Sequence, residues 1–216
     1  VGFGFWSHDL VGPGGDPELY VRWLQLASYS SIFRMHDRGG SANAWCIGWP
    51  SKAGSCSTVR PWVIAPAFFA AAREAVRTRA KLLPYLYTQS RVAFDSGVSV
   101  VRPMYYDWPE VDGAYPATMD AMLGQLPSTR QYLFGDAMLI APVTAPGACP
   151  PPRGTALLDE PCGLAAHDVW LPPSTQWYAL ATGQLLNGTG ALLSTRVHLR
   201  DTPVFAKAGS VVGRRP

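Results

Sequence analysis

Charge is scarce in this chain of 216 residues, with aspartate, glutamate, lysine and arginine together making up only 15% of it. The net charge of +3 comes without any dense lysine and arginine cluster, and Arg214-Arg215 reads as a short solvated tail. Nucleic acid, which is held mainly through many phosphate contacts, is therefore not an expected partner. Also missing is any apolar run of the ~18 residues that a bilayer span needs, so no membrane span is expected. No charged-then-apolar leader opens the chain. Because it starts at Val1, inside a strand-like run and not at a Met, that last absence says nothing about secretion.

Cysteine is equally sparse. Cys46, Cys56, Cys149 and Cys162 show no CxxC spacing and no neighbouring His pair, so neither a zinc site nor any other metal is expected. Each local pair lies in a Gly-, Pro- and Ser-rich loop. Of the three possible connectivities, Cys46–Cys56 with Cys149–Cys162 closes the shortest loops, and free thiols stay open as the alternative. With the Asn187-Gly188-Thr189 sequon, the pattern slightly favours the secretory-pathway lumen or the extracellular space.

What is plentiful is apolar and aromatic. Hydrophobic residues make up 48% of the chain, enough for a sizeable core and too many for disorder. Eight Trp and nine Tyr are a heavy load at this length. Most serve packing, but aromatic faces also stack on sugar rings, and Trp6, Trp45, Trp49 and Trp62 surround the segments of interest below.

Residues 1–9 read as a buried strand, and a Gly/Pro turn at 11–15 follows. Asp16 then caps a helix with Pro17 at its first position and Tyr20, Trp23, Leu24 and Ala27 along one face. Ser31–Arg34 reads as the next short strand, completing the strand–helix–strand unit of a parallel α/β architecture. Residues 37–61 form a loop long enough to shape a pocket. A helical stretch from 66 to 96 follows, with Phe69, Ala72, Val76, Ala80, Leu83, Leu86 and Tyr87 in register. Pro84 should kink or divide it, and Gly97 should stop it. Beyond Gly97 come short β-rich runs at 98–106, 132–134, 137–143, 168–171, 177–180, 192–199 and 204–212. Their spacing implies an antiparallel sandwich, interrupted by two expected mobile insertions near 112–129 and 145–166.

Asp9 is the leading chemical candidate. A carboxylate closing an apolar strand either sits in a site or pairs with a buried cation. Arg34 could be its partner, and His36 lies just beyond. Ser7-His8-Asp9 cannot be a relay, since neighbouring strand residues alternate faces and no GxSxG elbow is present. Gly12-Pro13-Gly14-Gly15 lacks a Walker lysine and reads as a turn, as does Phe134-Gly135-Asp136. No cofactor is implied.

In order along the chain, several segments resemble one family. They are Gly4–Asp9, Asp16–Gln25, Phe33–His36, Arg60–Trp62, Leu82–Tyr87, Val101–Met104, Tyr132–Asp136, Ala141–Val143, Pro203–Phe205 and Ala208–Ser210. Together they resemble glycoside hydrolase family 31, the α-glucosidases and α-xylosidases. The resemblance implies that residues 1–97 are the C-terminal part of a (β/α)8 TIM barrel. Residues 98–216 would be the β-sandwich that follows it. It implies a retaining mechanism with two Asp carboxyls about 5–5.5 Å apart. Both would lie on earlier barrel strands, so no catalytic residue is assigned here, and the remainder of the barrel is an expected partner.

By the same resemblance Asp9, Arg34, His36 and Trp6 would line the pocket of an oligosaccharide or glycan substrate. Two departures bear on specificity: Leu10-Val11-Gly12-Pro13 replaces a common Ile-Gly-Gly-Phe, and the 39–59 loop is long and Trp-rich. The isolated chain is expected to be inactive, while the sandwich could fold alone. The alternative function is a non-catalytic carbohydrate-binding or regulatory fragment, and a remote second one draws activity from Asp9 with Asp37.

Overall fold

A computed structural model describes residues 5–10, 16–35, 61–62, 64, 66–118, 130–147 and 163–215. The first part has the expected parallel pairing, but only as isolated bridges, and residues 5–9 are not the buried strand expected, since Phe5 and Trp6 are exposed. Ser7 bridges Ile32 and Leu10 bridges Met35 in parallel, with Leu10 N–H donating to the Arg34 carbonyl at 3.0 Å. Between them runs helix α1, Pro17–Ser28, whose N-cap Asp16 accepts from the Leu19 amide at 3.0 Å. Asp16 and Pro17 work together here: the carboxylate satisfies an orphan amide, and proline has no amide to satisfy.

The long helical stretch divides at Pro84 into α2, Pro66–Lys81, and α3, Leu83–Ser96. Gly97 ends α3 at φ 74°, donating to the Ala93 carbonyl at 2.9 Å. The phase of α2 differs from the expected one. Phe68, Ala71, Ala72 and Ala75 face the core, and Phe69 is exposed. Next to Phe68, alanines fill the rest of this face because α1 approaches closely, with the Ser28 hydroxyl 2.7 Å from the Ala75 carbonyl. On α3 the buried residues are Tyr85 and Gln89, while Leu83 and Tyr87 are exposed.

Beyond Gly97 two antiparallel sheets form. β1 (Val101–Arg102), β2 (Tyr132–Phe134), β3 (Met138–Ile140), β5 (Gln176–Ala179), β6 (Leu185–Asn187) and β8 (Val204–Lys207) build a six-stranded sheet ordered β1-β2-β3-β8-β5-β6. β4 (Ala165–Trp170) pairs with β7 (Leu192–Val197) in a second sheet. Several runs are shorter than expected. β1 stops where Pro103 removes a ladder donor, and Met104–Tyr106 turns as a 3-10 helix. The final run stops at Lys207, just before Gly209 at φ 81°.

Part of the first expected insertion is ordered: Ala114–Thr118 forms a short helix, α4, with Ala114 and Ala117 buried in the core. Ala165 and Ala166, placed in the second insertion, begin β4. Residues 119–129 and 148–162 of these insertions lie outside the described residues.

The larger sheet is buried on both faces. Leu133, Leu139, Trp177 and Phe205 pack with Val169, Trp170 and α4 on one side. Phe134, Met138, Ile140 and Val204 pack with Tyr29, Leu82 and Tyr85 of the helical layer on the other. A lone sandwich would leave that second face bare, so the core does not divide at Gly97.

Polar contacts stitch the layers. Tyr85 donates its hydroxyl to the Phe134 carbonyl at 2.8 Å and accepts from the Ala137 amide at 3.1 Å. Burial pushes this phenol up to about 12. Arg22 donates to the His198 and Asp201 carbonyls at 3.3 and 3.1 Å, and Gln25 donates to the Leu199 carbonyl at 2.6 Å. Arg79 of α2 donates to the Ser28, Ser30 and Ser31 carbonyls, closing the end of α1 and the start of the next strand.

Arg79→Met keeps much of the aliphatic stem but leaves those carbonyls without a donor. It should cost about 2–3 kcal/mol in chemical denaturation. Tyr85→Phe should cost about 1–3 kcal/mol by orphaning the Ala137 amide. Unchanged midpoints would show that water replaces these donors.

Candidate functional site

Asp9 stands at the C-terminal end of the first parallel strand, with Arg34 beside it on the second. The guanidinium grips both carboxylate oxygens: Arg34 Nε lies 3.0 Å from Asp9 Oδ1, and Nη2 lies 2.7 Å from Oδ2. The Ser7 hydroxyl donates to Oδ1 at 2.7 Å. The side chains of Arg34 and Asp9 are 53% and 38% exposed, so the cation is not a buried one. An ion pair open to water to that extent adds little stability, at most about 1 kcal/mol.

Asp9 also adopts φ 36°, a left-handed backbone that costs a non-glycine residue energy. A strained carboxylate in a weak, exposed pair is poorly explained as glue for the core. It is instead a charge held in one orientation at a strand end.

The neighbouring residue faces inward. His8 Nδ1 lies 2.5 Å from the Ser30 hydroxyl oxygen, and its carbonyl accepts from Trp23 Nε1 at 3.0 Å. The Ser30 hydroxyl also lies 3.1 Å from the Leu26 carbonyl. Burial pushes the His8 imidazole below its ordinary 6.5. Ser7 and Asp9 share one face and His8 the other, as strand alternation requires, so the three form no relay.

Trp6 and Trp62 are both exposed. His36, Asp37, Trp45, Trp49 and all four cysteines lie outside the described residues. Asn187 of the sequon is exposed at the end of β6, its Oδ1 accepting from Gln176 Nε2 at 2.9 Å. Sequence reasoning missed Ser7 as an Asp9 partner and Ser30 as the anchor of His8. Among the described residues no group of three or more His, Cys, Asp and Glu could hold a metal ion. None of the helices described is long and apolar enough to cross a membrane.

Comparison with known proteins fits this geometry. Residues 97–212 match the profile of the glycosyl hydrolase family 31 C-terminal domain, and residues 1–89 match the glycosyl hydrolases family 31 TIM-barrel domain. The chain belongs to glycoside hydrolase family 31. It is 26% identical to an alpha-xylosidase of Saccharolobus solfataricus, covering 98% of this chain and 24% of that protein. It is 31% identical to neutral alpha-glucosidase C of Mus musculus, covering 98% of this chain and 19% of that one.

A soil-metagenome GH31 alpha-xylosidase solved with xylose superposes with a TM-score of 0.71 at 25% identity. The match covers 98% of this chain and 29% of that one. The GH31 dextranase of Flavobacterium johnsoniae solved with glucose gives 0.69 at 26% identity, over 100% and 22%. The family 31 chain thus spans a quarter or less of the length of these curated relatives.

Two imidazoles give the unit a pH signature. Burial lowers both His8 and His167, so the folded state resists protons that the unfolded chain accepts. Stability is then full above about pH 6.5 and falls as pH drops through the lowered folded values. Thermal midpoints at pH 7.5 and 5.5 should differ in that direction, and the difference should shrink in His8→Gln. A midpoint that rises on acidification would contradict the sign.

Proposed function

We propose that the whole polypeptide carrying these residues is a retaining α-glycosidase acting on terminal α-linked glucosyl or xylosyl units. The supporting observation is the oriented Asp9–Arg34 pair at the C-terminal end of parallel strands in a family 31 barrel segment, the end where barrel enzymes build their sites. Residues 1–97 contribute the closing part of the barrel and residues 98–216 the sheet domain behind it. The nucleophile and the acid/base come from the rest of the barrel, the partner this unit needs.

In this reading Asp9 and His36 accept and donate hydrogen bonds to hydroxyls of the sugar being cleaved, and Trp6 offers it an apolar face. Arg34 holds the Asp9 carboxylate charged and oriented. Such groups act by fixing the sugar where an oxocarbenium-like transition state forms, and they bind that state more tightly than the ground state. They cannot stand in for a carboxylate that attacks the anomeric carbon, so the 216 residues alone are inactive.

The test is hydrolysis of aryl α-glucosides and α-xylosides by the whole polypeptide, with the first-formed anomer read by NMR. An α-anomer is expected, and a β-anomer first would sink the retaining mechanism. Asp9→Asn should lower kcat/KM by about 10²–10³-fold. Arg34→Lys, which loses the bidentate grip, should cost roughly tenfold. An Asp9→Asn enzyme within twofold of the native one would remove Asp9 from the sugar pocket.

A further inference from the structure

At the seam between helices and sheet lies a crevice of about 230 Å³. Helix α1 runs from the Asp9 end of the parallel unit to the start of the second strand. Ser28 and Tyr29, which close its far end, help to line the crevice. It therefore sits at the opposite end of the unit from Asp9.

Its polar lining interleaves signs: Glu74 and Thr78 come from α2, Arg200, Asp201 and Thr202 from the loop after β7, and Arg214 from the C-terminal segment. Ala75, Leu180 and Val204 supply an apolar surface. Glu74 is held only loosely, by Lys81 at 3.4 Å. Among the described residues the Arg200 and Arg214 guanidiniums make no ion pair and no side-chain hydrogen bond.

This combination selects a ligand class. An anion would meet Glu74 and Asp201, and a cation would meet two guanidiniums. A neutral polyol satisfies both, since each hydroxyl donates to a carboxylate while accepting from an arginine. The volume is below the ~300–1,000 Å³ of pockets that take drug-sized ligands and suits one ring. We infer that the seam crevice is a second carbohydrate site, which binds a single neutral sugar ring away from the Asp9 pocket. Its existence does not depend on the hydrolytic reading above, because it is tested by binding.

The probe is methyl 1-thio-α-glucoside, titrated into the whole polypeptide by calorimetry and soaked into its crystals, with inorganic phosphate as the competing chemistry. Density for the sugar is expected at the seam. Affinity there should fall at least tenfold in the Arg200→Ala/Arg214→Ala variant. It should also fall in Ala181→Trp, which fills the crevice from the turn after β5. All of these positions are exposed, and kcat/KM for a small aryl α-glycoside should stay unchanged in both variants. Sugar density at the seam that survives both variants, or sugar binding that disappears entirely with Asp9→Asn, overturns the inference. So does a seam that takes phosphate and not the sugar.

Discussion

A single guanidinium sets the frame on which the candidate site rests. Arg79 reaches from α2 to the carbonyls of Ser28, Ser30 and Ser31, where α1 gives way to the second parallel strand. The Ser28 carbonyl is one of the orphan acceptors that every helix end leaves behind, those of Ser30 and Ser31 lie just past it, and a cation there also suits the helix dipole. Burial lowers the Arg79 proton affinity, yet a guanidinium remains charged at any physiological pH. With the turn fixed, the Ser30 hydroxyl is placed to hold the His8 ring, and His8 in turn fixes the backbone on which Asp9 takes its left-handed bend. The orientation of an exposed carboxylate thus traces back to an arginine seventy residues downstream.

Much of this was legible in the residues themselves. Asp16 and Pro17 announced α1, Pro84 and Gly97 cut the helical stretch where punctuation said they would, and Asp9 and Arg34 met because strand geometry puts them on one side. Other features depend on neighbours that no local pattern records. The inward face of α2 was read only in part: Ala72 and Val76 lie on it as expected, but contact with α1 completes it with Phe68, Ala71 and Ala75 and leaves Phe69 exposed. β6 escaped notice because Leu185–Asn187 is a short edge strand with an exposed rim. α4 was hidden in an Ala- and Pro-rich segment, where burial against the second sheet, not propensity, makes a turn of helix stable.

The site shows the same division. Residue type and strand position made Asp9 a candidate, but neither showed that the Ser7 hydroxyl would donate to its carboxylate. The Ser30–His8 contact joins residues 22 positions apart across the first parallel pair. Membership in family 31 makes residues 1–89 part of a TIM-barrel domain, and the local chemistry says how one carboxylate there is aimed.

The six-stranded sheet packs helices against one face and the β4–β7 ladder against the other. The barrel segment and the sheet therefore share a core, so neither can be exchanged for a foreign module without remaking the other's surface. In descent the two would travel as one cassette. A boundary that looks like a linker along the chain at Gly97 is a poor place for recombination to cut.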